Sequence, residues 1–119
     1  MFKILIVEDE EKIRVELQNL LNRYGYEALT LSDFHEVDQQ ILRIQPHLVL
    51  LDINLPEMDG YMICRSLRQQ SSIPILMVTS RSSDLDELMS MSLGADDFIT
   101  KPYNVQILLA HIQAVLKRA

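Results

Sequence analysis

The stretch HLVLLDINLPEMDG, residues 47–60, decides the fold. Residues 48–51 are an unbroken apolar run with no polar alternation, which is how a strand reads when both of its faces are covered. The run ends on Asp52. A carboxylate at the end of such a strand carries a desolvation cost unless something compensates it. Pro56 and Gly60 are turn formers, and beyond them Ile63, Cys64 and Leu67 recur at helical spacing.

Outward from this unit, two periodicities alternate along the chain. Residues 2–7 read as a strand, followed by a helix carrying Ile13, Leu17, Leu20, Leu21 and Tyr24 and closed by Gly25. Residues 27–31 are a short second strand, and Phe34, Val37, Ile41 and Ile44 stripe a second helix that ends at Pro46. After the helix over residues 60–67 comes the polar break RQQSS, then a fourth strand over residues 73–78. Leu85, Leu88, Met89 and Leu93 mark a fourth helix closed by Gly94. Residues 97–100 make a brief fifth strand, and Val105, Leu108, Leu109, Ile112 and Leu116 a final amphipathic helix. Five strands alternating with five helices predict a doubly wound α/β domain, a parallel sheet covered on both faces. The three most apolar strands suit its central positions. Ligands of such sheets bind beyond the carboxyl ends of the strands.

Composition narrows the function. The chain has 119 residues, one domain's worth, of which 48% are hydrophobic and 24% charged, so a packed core is expected. A net charge of −6 argues against gripping nucleic acid through this domain's own surface. Cys64 is the only cysteine, which excludes an internal disulfide and fits a reducing compartment; on its helix face it reads as core. No run is long enough to span a membrane or to act as a signal sequence, so a soluble cytoplasmic domain is expected.

The strand ends carry the chemistry. The first ends in Glu8 and Asp9, the third in Asp52, the fourth in Thr79 and Ser80, the fifth in Thr100, Lys101 and Pro102. Singly, each has an ordinary role: Asp9 caps a helix, Thr79 is a β-branched strand residue, Lys101 is a loop cation. Together, three carboxylates at one edge repel and require counter-charge. A hard divalent cation such as Mg²⁺ and Lys101 balance them formally. The three glycines fall in no phosphate-cradling pattern, no Ser-His-Asp or Cys-His set is apparent, and His35, His47 and His111 lie away from this edge. A nucleotide- or flavin-binding role is thus weakly supported, whereas an aspartate nucleophile accepting a phosphoryl group is chemically sensible, with cationic groups neutralising charge and Thr79 donating a hydrogen bond.

At this point four motifs, ILIVEDE, LVLLDINLPEMDGY, PILMVTS and LGADDFITKPY, one per strand end and in order, give the sequence a family resemblance. It resembles the receiver domain of bacterial two-component response regulators over essentially its whole length. The resemblance implies a flavodoxin-like sheet of order 2-1-3-4-5 and a phosphoryl group received by Asp52 from a sensor histidine kinase. It implies Mg²⁺ held by Asp9, Asp52 and the backbone carbonyl of Asn54, with Glu8 acting through water. Thr79 would be the switch hydroxyl, Phe98 would occupy the switch-aromatic position, Lys101 would pair with the phosphoryl oxygens, and Lys101-Pro102 would be a cis peptide. LGADDFITKPY most resembles the branch whose receivers precede a winged-helix DNA-binding domain, so a piece of a longer transcription regulator is expected, a stand-alone receiver being the alternative. The segment is also similar to regulators paired with kinases that sense antimicrobial peptides.

Some positions depart from the family pattern. Glu8 replaces the commoner Asp, Phe98 lacks the hydroxyl of the frequent Tyr, and Ser80 is bulkier than usual. Asn54 and Arg81 are expected to flank the pocket and tune dephosphorylation. The branch dimerises through its fourth helix, fifth strand and fifth helix. Here Glu87, Met91, Ser92, Asp96, Asp97, Ile107 and His111 would form a homodimer face with fewer cross-subunit ion pairs and a more apolar contact. Two other readings stand beside this one. An Asp-nucleophile phosphohydrolase would want an acid two residues after the nucleophile, where Asn54 stands, and an inactive receiver used as an interaction module would have no need of Asp9, Asp52, Thr79 and Lys101 together. The expected protein is therefore a switch, not a turnover enzyme.

Overall fold

The computed structural model describes all 119 residues. The elements follow in strict alternation: β1 (Lys3–Val7), α1 (Glu11–Arg23), β2 (Glu27–Thr30), α2 (Val37–Ile44), β3 (Leu48–Leu51), α3 (Gly60–Gln70), β4 (Ile75–Thr79), α4 (Asp84–Ser92), β5 (Asp97–Thr100) and α5 (Val105–Arg118). All strand pairs are parallel and the sheet order is β2-β1-β3-β4-β5. The apolar strands occupy the centre, with Val7 beside Leu51 and Leu51 beside Met77. The carboxyl ends of β1 and β3 are thereby brought level, and Glu8 and Asp52 emerge together.

The sheet divides the interior into two cores. Ile4, Ile6, Leu48, Leu50, Leu76 and Val78 pack under α1 and α5. Leu5, Val7, Val49, Leu51, Ile75 and Met77 pack under α2 and α3, where Cys64 is also buried. This is the period-two alternation of strands covered on both sides. Asp59 caps α3 by accepting from Met62 N–H at 2.9 Å, and Asn104 caps α5 through Gln106 and Ile107.

Three expectations need correction. The polar residues 68–70 do not break the third helix, which runs on to Gln70. Arg68 explains this: its guanidinium donates to the carbonyls of Gly94 and Ile73 and to Asp96, so the helix end is fastened to the chain entering β4 and β5. The fourth strand runs over Ile75–Thr79, not residues 73–78, because pairing with β3 begins at Ile75. The third correction concerns α4. The helix is present, but most of its stripe faces water: Leu85 is 75% and Leu88 62% exposed and Met89 is exposed too, while Leu93, at the helix end, packs partly on the α2–α3 core, and within the helix only Ser90 is buried. No helix is long and apolar enough to cross a membrane.

Candidate functional site

Strand alternation decides which side chains meet beyond the sheet. Glu8 continues the side of β1 that carries Ile4 and Ile6, and Asp52 the side of β3 that carries Leu48 and Leu50. Both therefore turn toward the α1–α5 layer, and they line an open cavity of about 850 Å³ with Asp9, Asn54, Ser80, Lys101 and Tyr103. The cavity continues along α1 past Ile13, Leu17 and Leu20.

Glu8 and Asp52 are only 5% and 7% exposed. Two such carboxylates need a cation, and Lys101 provides it: its Nζ donates to Glu8 Oε1 in a very short contact and to Asp52 Oδ2 at 3.0 Å. The other oxygens have backbone partners. Glu10 N–H donates to Glu8 Oε2 at 3.1 Å, and Asn54 N–H to Asp52 Oδ1 at 3.3 Å. Burial pushes the Glu8 carboxyl above its ordinary range, against the hydrogen bond from Lys101 and that from Glu10. Burial also opposes the charge of Lys101, but its bonds to Glu8 and Asp52 outweigh this and its pKa is raised. The ammonium is thus held charged between two acids.

One lysine does not balance three carboxylates. Oxygens of Glu8, Asp9 and Asp52 lie within 4.8 Å of one another, with Asp9 exposed at the mouth. An all-oxygen donor set, partly open to water, has the chemistry that a small hard cation requires.

Thr79 is elsewhere. It continues the opposite side of β4, after Ile75 and Met77, and is fully buried. Its Oγ1 accepts from Arg81 N–H at 3.2 Å, and its carbonyl accepts from Lys101 N–H at 2.8 Å. Phe98 lies beside Met77 on that same side, half-buried against the α2–α3 core. The Lys101–Pro102 peptide bond is cis.

Arg81 also departs from expectation. Asn54 lines the cavity, but Arg81 turns away from it, pairing with Asp86 at 3.0 Å and lying 5.3 Å from the centre of the Tyr61 ring. On the expected dimer face, Asp96 is held by Arg68 at 2.7 Å, and His111 and Asp97 meet at 2.5 Å within one chain. Met91 and Ile107 are exposed. Tyr103, which no sequence argument singled out, lines the cavity and packs on the α1–α5 core. Only its place two residues after Lys101 could have suggested it.

Comparison with known proteins bears on this geometry. Residues 4–113 match the response regulator receiver domain family. The chain belongs to that family. The receiver is 48% identical to the transcriptional regulatory protein YxdJ of Bacillus subtilis over all its 119 residues, which make up 52% of YxdJ. It is 42% identical to the sensory transduction protein BceR of the same organism, matching over 99% of this chain and 51% of BceR. The chain thus spans about half the length of the curated relatives it matches. Among solved structures it resembles the BeF3-activated receiver domain of RstA from Klebsiella pneumoniae, with a TM-score of 0.90 and 35% identity, covering 96% of this chain and 97% of that one. It also resembles the N-terminal domain of the nisin resistance regulator NsrR, a lantibiotic response regulator, with a TM-score of 0.87 and 37% identity over 98% of both chains. The solved neighbours are receivers of response regulators, and the curated relatives are transcriptional or sensory transduction regulators. Receivers of such regulators are generally not enzymes.

Proposed function

We propose that the receiver is a phosphorylation switch in which Asp52 accepts a phosphoryl group from a sensor histidine kinase. The observation that supports this best is Lys101 held charged between Glu8 and Asp52 at the mouth of an open cavity. An Asp52 oxygen attacks phosphorus, the P–N bond to the donor histidine breaks, and the electron pair leaves on the imidazole nitrogen. Lys101 stays within reach of both the carboxylate and the developing phosphoryl charge, and Asn54 N–H steadies the attacking carboxylate. Asp9 and Asp52, the Asn54 carbonyl and, through water, Glu8 are the groups that would hold Mg²⁺, which supplies charge neutralisation at the phosphoryl oxygens when bound. Thr79 then moves from Arg81 N–H to bond the phosphoryl group, and Phe98 follows into the space it leaves.

The output that fits is a homodimer through α4, β5 and α5. The outward Leu85, Leu88, Met91 and Ile107 supply an apolar patch, while Asp96, Asp97 and His111 are already paired within the chain. A DNA-binding domain in the remaining half of a longer, cytoplasmic regulator would carry that signal to transcription. Asn54 places no acid where a phosphohydrolase needs its general acid, and the receiver is read as labelling itself without turnover. Asp52→Asn should abolish Mg²⁺-dependent labelling by radiolabelled acetyl phosphate. Label persisting on that variant at wild-type yield would reject the assignment.

A further inference from the structure

Four side chains outside the phosphorylation site are tied into one knot. Asp86, on the first turn of α4, accepts from Tyr61 of α3 at 2.5 Å, from Ser83 at 2.6 Å and from Arg81 at 3.0 Å. The Arg81 guanidinium also lies over the Tyr61 ring. Burial, followed by the bond to Asp86, pushes the Tyr61 phenol up to about 12, so the hydroxyl is a donor throughout the physiological range. The hydrogen bond from Ser83, then that from Tyr61, keeps Asp86 below the usual carboxylate range and hence charged.

The knot touches the switch at both of its moving parts. Arg81 is anchored by its side chain, and its backbone N–H is the donor that occupies the Thr79 hydroxyl oxygen. Because Thr79 lies on the opposite side of β4 from Asp52, bonding a group there carries its hydroxyl away from that N–H unless the loop moves with it, and the loop is pinned at Asp86. Asp86 in turn secures the start of a helix that buries only Ser90. With little apolar packing of its own, α4 depends on such polar fastenings for its position. At its far end the fastening is Arg68 on the Gly94 carbonyl, where the guanidinium stem fills the space a Cβ would need. Both ends of α4 are thus fastened to α3, one through Arg68 and the other through Tyr61.

We propose that Tyr61, Asp86 and Arg81 form a latch that holds α4 and the β4–α4 loop in the unphosphorylated arrangement and sets how readily Asp52 is modified. The effect on modification rests on the reading of Asp52 as the phosphoacceptor, whereas the effect on the loop does not. The latch is intramolecular and acts through Thr79; none of its three residues contacts the reacting atoms, so they are positioning residues.

Two measurements on the same protein test it: the rate of Mg²⁺-dependent labelling by acetyl phosphate, and amide hydrogen exchange over residues 81–85 without phosphodonor. Tyr61→Phe keeps the ring under Arg81 and removes one bond to a charged acceptor, a loss that corresponds to about a tenfold change in an equilibrium. The latch predicts that both labelling and exchange speed up by about that factor. Arg81→Gln should do the same, and the double variant should exceed neither single by much, because the three groups act as one unit. A variant that is merely destabilised labels more slowly, so the direction separates the two cases. Tyr61→Phe labelling at or below the wild-type rate, with exchange unchanged, overturns the latch and leaves Asp52 standing. If the wild-type protein itself takes no label while exchange over residues 81–85 still speeds up in Tyr61→Phe at unchanged urea stability, the latch stands and the reading of Asp52 is overturned instead.

Discussion

A Cβ placed on Gly60 would lie 2.3 Å from the carbonyl oxygen of Asp52 and 2.7 Å from the Cα of Ile53. The φ angle of Gly60 is not positive, so the position needs an absent side chain and not a special conformation. Gly60 N–H also donates to the Ile53 carbonyl at 2.8 Å, which draws the start of α3 against the backbone that follows Asp52. Gly60→Ala must displace that backbone, and a loss of about 2 kcal/mol or more in urea unfolding is expected, together with slower labelling of Asp52. Variants at loop positions without such contact should stay within about 0.5 kcal/mol of wild type. Sequence alone assigns Gly60 to a turn, because turn propensity is local while the approach to Asp52 depends on how the intervening loop folds back. The acidic edge is more legible: the carboxyl ends of parallel strands share one edge of the sheet, so the sequence groups Glu8, Asp9, Asp52 and Lys101. The direction of Thr79 lay within the same alternation, since it shares parity with Ile75 and Met77 and not with Val78.

Among the elements, α3 and α4 make the sharpest contrast. Both carry apolar residues at helical spacing, and from periodicity alone both would be docked by them. In α3, Ile63, Cys64 and Leu67 are buried. In α4 the equivalent stripe faces outward, because Ser90 takes the inward position and bonds the carbonyl of Asp86 at 2.9 Å. Periodicity reports that a helix has an apolar face without saying what covers it, and this is where the sequence reading was bound to run short. The energetic consequence is measurable by denaturation. Ile63→Ala is expected to cost about 2–5 kcal/mol. Leu88→Gln should cost less than about 0.5 kcal/mol while weakening self-association of the phosphorylated receiver. A large loss of stability from the α4 substitution would mean that the helix is held by its apolar face after all.

At the scale of the molecule, the sheet is a partition between two cores that meet only through its strands. The site lies where strands from the middle of that partition end, so it is mounted on the most rigid part of the domain. Three carboxylates gathered there against one lysine should make the folded state responsive to divalent cations. At about a hundred times its dissociation constant, Mg²⁺ is expected to raise stability by about 2.7 kcal/mol, seen as a higher melting temperature than in chelator. Asp9→Asn should remove most of that increment, and a melting temperature indifferent to Mg²⁺ in the wild type would count against a cation at these residues. The outward stripe of α4 has one more consequence, for how such domains diverge. Because Leu85, Leu88 and Met89 belong to neither core, mutation can rewrite them at little cost to folding. After duplication, two copies of this domain could drift apart in whom they pair with while their chemistry stayed the same, and a cell could keep many parallel signalling lines from crossing.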